Sequence, residues 1–222
     1  MNDLILTDEQ STERRASTYR LLSACFHEPE QELLDRIAAA ASEETDVETE
    51  RLNKEATDLE TLRLDYAKLF LGPFEVVAPP YGSTYLDNPE RVMTESTTEV
   101  QEWYRQEGLD IGLDEPADHV AGELEFVGVL ALAEKESLKA GEDEIAVEYV
   151  QKQYEFLSQH LGRWISELAD NMREHAQTEF YRTLADETQS FVESDGKDLA
   201  SRLEALDEVD SDALTGGECD DS

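Results

Sequence analysis

Residues 116–130 read Pro116-Ala117-Asp118-His119-Val120-Ala121-Gly122-Glu123-Leu124-Glu125-Phe126-Val127-Gly128-Val129-Leu130. The run after the proline is made of helix formers, with apolar side chains recurring at spacings of three and four, so it predicts an amphipathic helix. Pro116 suits the first helical turn, with Asp114 or Glu115 as N-cap and Asp118 near the third position, where a carboxylate meets free backbone amides and the positive helix end. His119 falls on the stripe of Phe126 and Leu130. Two readings of this pair stay open: Asp118 is a helix-start acid and His119 a core-edge histidine, or together they orient a bound peptide by hydrogen bonding. Gly122 and Gly128 each cost the helix about 1 kcal/mol relative to alanine, which marks the close approach of a neighbouring element.

Helical periodicity continues on both sides and strand alternation is scarcely present. Upstream, helices are expected over 11–26 (Ala16, Tyr19, Leu22, Phe26), 29–41 (Leu33, Leu34, Ile37) and 50–70 (Leu52, Leu59, Leu62, Tyr66, Leu69, Phe70), the last stopped by Gly72-Pro73. Residues 74–87 carry Pro79, Pro80, Tyr81 and Tyr85 and read as an extended loop, either folded over the core or walling a binding groove. A helix at 94–107 presents Val100, Trp103 and Tyr104. Downstream, helices are expected over 143–161, from Trp164 to Met172 after a break at Gly162, and over 178–192. The fold class is therefore all-α: one helical bundle over residues 1–195. Residues 196–222 read as an acidic tail, with a weak helix at Leu199, Leu203 and Leu206 and disorder from about Val209.

The chain of 222 residues holds 54 Asp+Glu against 18 Lys+Arg, a formal net charge of −36 spread along its whole length. That excludes a nucleic-acid binder working by phosphate neutralisation. Acid so evenly spread, with only six lysines, reads as solvation in a high-salt cytoplasm, where screening lengths fall to roughly 3 Å at 1 M salt. Cys25 and Cys219 are too far apart and too few for a disulfide framework or a thiolate metal site, and Cys25 reads as a core residue. The N-terminus lacks a basic region followed by an apolar stretch, and no run approaches the ~20 apolar residues that span a bilayer. A soluble cytoplasmic protein without membrane insertion is expected.

Catalytic signatures are missing: there is no Walker phosphate loop, dinucleotide fingerprint, nucleophile elbow or Glu-x-x-His pair. His27, His119, His160 and His175 stand on four separate segments without ligand spacing, so neither a metal nor another cofactor is expected.

Three segments carry a resemblance: Tyr66-x-x-Leu69-Phe70-x-Gly72 with Pro79-Pro80-Tyr81-x-Ser83-x-Tyr85; Glu115-Pro116-x-Asp118-His119 leading to Glu123-Leu124-x-Phe126; and Phe156-x-x-x-His160-Leu161-x-x-Trp164. In order and spacing the chain resembles the TorD/DmsD/NarJ family of chaperones for molybdoenzyme assembly, over about residues 17–192. The resemblance implies an all-helical domain that catalyses no reaction. It implies binding of the twin-arginine signal peptide, or the apo form, of a molybdopterin oxidoreductase catalytic subunit, so that export waits for cofactor insertion. It also implies a peptide site at Asp118 and His119, extending to Tyr81, Ser83 and Tyr85, with Glu115 and Pro116 at its edge. The chain departs from the family in having Pro116-Ala117-Asp118-His119 for Pro-Asp-His and Tyr81-Gly82-Ser83 for Tyr-Glu-Ser. A twin-arginine signal joins a basic segment to an apolar one, so its receptor needs acids beside an apolar groove: Asp114, Glu115 and Asp118 for the arginines, and Tyr81, Tyr85 and the surroundings of Gly122 for the rest. A helical protein that only dimerises through its amphipathic faces is the alternative, and the oligomeric state, homodimer included, stays open. A nucleotide hydrolase, a reading that rests on guanine-nucleotide binding suggested within the family, meets no phosphate loop.

Overall fold

The structure is a computed structural model that describes residues 9–41, 49–56, 58–72, 76–87, 94–109 and 116–215. Its elements are helical: α1 (Glu9–Cys25), α2 (Gln31–Ala40), α3 (Thr49–Glu55), α4 (Leu59–Tyr66), α5 (Gly82–Leu86), α6 (Glu95–Gln106), α7 (Val120–Ala140), α8 (Asp143–Gln159), α9 (Leu161–His175) and α10 (Glu179–Thr215). The only strand-like feature among the described residues is an isolated antiparallel bridge between Tyr81 and His119. None of the described helices is long and apolar enough to cross a membrane.

The expected helix over 50–70 is divided. Asp58 starts α4 by accepting the Glu60 amide at 3.2 Å, and its last turn widens into a π-helical stretch, Ala67–Leu71, closed by the Gly72 amide on the Ala67 carbonyl. The wider turn leaves Leu69 and Phe70 buried side by side. Asp65, also buried, reaches the start of α10 and accepts the amides of Gln177 and Thr178 and the Thr178 hydroxyl.

α7 is the central element. α1 runs along it, and α8 packs on another side and passes the core to α9 and α10. The close approach expected at the glycines is present: a Cβ on Gly128 would lie 3.1 Å from the Tyr19 Cβ of α1, and one on Gly122 would lie 3.4 Å from the Tyr104 hydroxyl. Phe126 of α7 meets Tyr104 and Phe156 with ring centroids 4.7 Å from each. Cys25 is a buried free thiol of this core. Cys219 lies outside the described residues.

Across this core runs a buried ionic cluster. Arg15 of α1 donates Nε to Asp195 Oδ1 at 2.6 Å, a terminal nitrogen to Gln153 Oε1 at 2.7 Å and the other to Glu134 Oε2 at 3.2 Å. Tyr19 donates to Asp195 at 2.7 Å, and Arg202 donates to Glu134. Four helices, α1, α7, α8 and α10, are joined by it. The chain boundary expected at residue 196 falls inside α10, which continues unbroken to Thr215, because Leu199 and Arg202 follow Asp195 onto the same buried face. Residues 216–222 lie outside the described residues. The break expected at Gly162 stands at His160, the single residue between α8 and α9.

Removing one partner from a buried ion cluster leaves the others uncompensated. Asp195→Ala is expected to destabilise the protein by about 3–5 kcal/mol, read as a lowered denaturation midpoint of the helical circular dichroism. Burial beside Arg163 lowers the His160 imidazole from its ordinary value to about 4. The unfolded chain therefore takes up a proton that the folded one refuses, so stability is full above about pH 6.5 and falls as the pH drops towards 4. In His160→Gln that part of the acid sensitivity disappears from the pH dependence of unfolding.

Candidate peptide-binding site

The turn ahead of α7 is built differently from the sequence expectation. His119 is the N-cap, its Nδ1 accepting the Ala121 amide at 3.1 Å, and its own amide closes a turn on the Pro116 carbonyl at 3.1 Å. With Nδ1 accepting, the proton of the neutral ring sits on Nε2. Pro116 thus precedes the helix rather than opening it, and Asp118 stands just outside the cap. Asp114 and Glu115, expected as caps, lie outside the described residues.

Asp118 is not a helix-start acid because a distant segment claims it. Its Oδ2 accepts the Ser83 amide at 2.8 Å and its carbonyl accepts the Gly82 amide at 2.9 Å, while the Val120 amide returns to the Pro80 carbonyl at 2.8 Å. Pro79 and Pro80 have no amide hydrogen and bond only through their carbonyls; Pro79 receives the Tyr85 hydroxyl at 2.8 Å. Residues 76–87 form a strap, folded over the core at Ala78, Pro80 and Gly82, that carries the short helix α5 where a loop is expected. Tyr85 stacks on Trp164 of α9 with centroids 5.4 Å apart, and burial pushes its phenol up to about 12.

Gly82 is the contact point. A Cβ there would lie 2.9 Å from Trp164 Nε1 and 3.2 Å from Glu123 Oε1. Glu123 is 1% exposed and accepts the Trp164 indole hydrogen on Oε2 at 3.3 Å. Burial, reinforced by the negative charge of Asp118, holds its carboxyl well above the usual range. Tyr104 of α6 donates to the Ala117 carbonyl at 3.0 Å and closes the other side of the turn.

Asp118, His119, Tyr81, Ser83 and Tyr85 are therefore brought into one construction, with Pro116 exposed beside it. His119 is 4% exposed and lies beneath Tyr81, ring centroids 5.2 Å apart, and against exposed His27 at 6.1 Å. Asp118 is 1% exposed, and its Oδ1 has no hydrogen-bond partner among the described residues. The outcome is a half-exposed rim of aromatic rings and hydroxyls over an acidic floor. Sequence reasoning placed Glu123 and Trp164 in the motifs of the resemblance, and Trp164 on a core stripe, but put neither of them, nor His27, in the site. The signal for Glu123 was an acid on the apolar stripe of Val120, Leu124 and Val127. Among the described residues no group of three or more His, Cys, Asp or Glu is placed to hold a metal ion. A methyl group on Gly82 must push the strap off Trp164. Gly82→Ala is expected to cost about 1–3 kcal/mol and to shift the tryptophan emission, measured by denaturant unfolding followed by fluorescence.

A family model described as nitrate reductase delta subunit matches residues 23–170. The Tat proofreading chaperone DmsD of Salmonella typhimurium is 30% identical over 127 residues, 56% of this chain and 55% of that protein, so the chain spans about half the length of this relative. The chaperone protein TorD of Aliivibrio fischeri is 30% identical over 157 residues, 68% of this chain and 71% of that one. TorD of Shewanella pealeana is 28% identical over 216 residues, 85% and 91% of the two chains. Among solved structures, a candidate redox enzyme maturation protein from Archaeoglobus fulgidus superposes with a TM-score of 0.56 at 25% identity, covering 80% of this chain and 93% of its own. With its helical architecture and the motifs that meet at the strap, the chain belongs to the TorD/DmsD/NarJ family, whose family model is that of the nitrate reductase delta subunit.

Proposed function

We propose that this protein is a cytoplasmic chaperone of molybdoenzyme maturation. It binds the twin-arginine signal peptide, or the apo form, of a molybdopterin oxidoreductase subunit and delays export until the cofactor is in place; it catalyses no reaction itself. The relatives named as chaperones support the class of function. The observation that carries the site is the union of the strap with the Asp118-His119 turn, joined by the bridge at Tyr81. In this reading Asp118 receives an arginine by charge-assisted hydrogen bonds. The half-exposed rings of Tyr81 and Tyr85 and the Ser83 hydroxyl meet the neighbouring apolar and polar parts of the peptide, and His119 supports Tyr81 from below.

In multimolar salt long-range attraction is screened, so affinity rests on burial and short-range bonds. Calorimetric titration of the full chain in multimolar KCl with the twin-arginine signal peptide of a molybdoenzyme is expected to give saturable binding. A hydrogen bond to a charged group contributes about 1.5–3 kcal/mol, so Asp118→Asn should weaken binding roughly ten- to hundredfold while the helical circular dichroism is kept. Unchanged affinity in Asp118→Asn would remove the site; no binding by the folded native chain would remove the function.

A further inference from the structure

Two acids are buried beneath the Tyr81–Ser83 turn. Asp118 and Glu123 are each 1% exposed, and neither is ion-paired with any described residue. Both converge on Gly82: Asp118 through its carbonyl and through Oδ2 on the adjacent Ser83 amide, Glu123 through Oε1, 3.2 Å from where a Cβ would stand. Asp118 Oδ1, an acceptor out of reach of solvent, finds no donor among the described residues. Among the described residues, the elements packed around Glu123 add neutral or negative groups. Trp164 of α9 donates one indole hydrogen, the strap brings backbone, and the turn brings Asp118. Tyr104 of α6 keeps its phenol proton, because burial and these same acids raise it. At the start of α7, the helix of Glu123, His119 spends Nδ1 on the Ala121 amide and turns its ring to Tyr81 and His27. A chamber with an unsatisfied acceptor and a second carboxyl, and with no cation among the described residues, is matched to a cation brought from outside.

We propose that Glu123 is the second carboxyl of a dication site closed by the Tyr81–Ser83 turn, and that two adjacent cationic side chains of the bound peptide displace its proton. The inference rests on the peptide-binding reading above. One guanidinium is matched by Asp118. A second finds no negative charge until the Glu123 O–H bond breaks, and that proton passes to the buffer as the cation takes its place. An opposite charge within about 4–6 Å lowers a carboxyl pKa by 1–3 units, which provides the drive. Burial and the negative charge of Asp118 hold the Glu123 carboxyl well above the usual range, which favours its protonated form. Gly82, without a side chain, lets the strap close over both acids, and its few hydrogen bonds to the turn let it lift.

The test is calorimetry of the full chain at pH 7 in multimolar KCl, with an Arg-Arg signal peptide and its Arg-Gln variant, in phosphate and in Tris, whose ionisation enthalpies differ widely. The native chain is expected to release about one proton per Arg-Arg peptide and to bind up to tenfold more tightly per unit rise in pH. Glu123→Gln is expected to bind with the same enthalpy in both buffers and to lose about tenfold of the preference for Arg-Arg over Arg-Gln. Binding by the native chain with no dependence on buffer overturns the proposal and leaves the peptide reading standing, as does undiminished proton release in Glu123→Gln. Absence of binding by the folded native chain overturns both. Should Glu123→Gln fail to fold, isotope-edited infrared spectra of the native chain decide: the protonated glutamic carboxyl band must disappear on binding, and its persistence overturns the proposal.

Discussion

A carboxylate taken out of water costs several kcal/mol unless something nearby replaces its hydration, and a chain with three acids for every base has few cations to offer. Five acids are nevertheless buried among the described residues: Asp65, Asp118, Glu123, Glu134 and Asp195. Glu134 and Asp195 take the two buried arginines, Arg15 and Arg202. Asp65 is satisfied without any cation, by backbone amides and a hydroxyl at the start of α10. The remaining two lie together under the strap, where a single amide and a single indole hydrogen are what the fold provides. The structural acids are thus fully matched and the acids under the strap are not, and the difference separates the part of the molecule that holds its shape from the part proposed to meet a partner.

Asp118 sits on the boundary between these roles. By bonding Gly82 and Ser83 it fastens a proline-containing segment that cannot make a hydrogen-bond ladder of its own, and it leaves one oxygen over. Tyr85, stacked on Trp164, fixes the far end of the same segment. The strap is further tied by the Ala78 amide on the Leu69 carbonyl and by the Ser96 amide on the Asp87 carboxylate, so its turn at Tyr81–Ser83 is anchored on both sides.

Much of this was legible from residue spacing. The stripes at Ala16, Tyr19 and Leu22 and along α7, the tight passage at Gly128 and the burial of Cys25 all follow from periodicity and residue type. The N-cap of α7 did not: Asp114 or Glu115 was expected there, and His119 takes the place while Ser83, thirty-five residues earlier, holds Asp118 outside the helix. Composition misled in α10: acid-rich surroundings suggested a tail, yet Val192, Asp195, Leu199 and Arg202 already keep the helical spacing of a buried face. In a chain whose acids run along its whole length, composition says little about where the fold ends. The partners of Arg15 were illegible for a simpler reason, since nothing local distinguishes a buried arginine from a solvated one.

The pairing of Arg15 with Asp195 spans 180 residues of sequence. Contacts of such separation form late, because the entropy of closing the intervening chain must be met before they contribute. During synthesis α1 and α7 can associate early and join Arg15 to Glu134, but Asp195 and Arg202 complete the cluster only once α10 has left the ribosome. The bundle is thus sealed from its C-terminal end, and an interrupted chain betrays itself by an open, wet core.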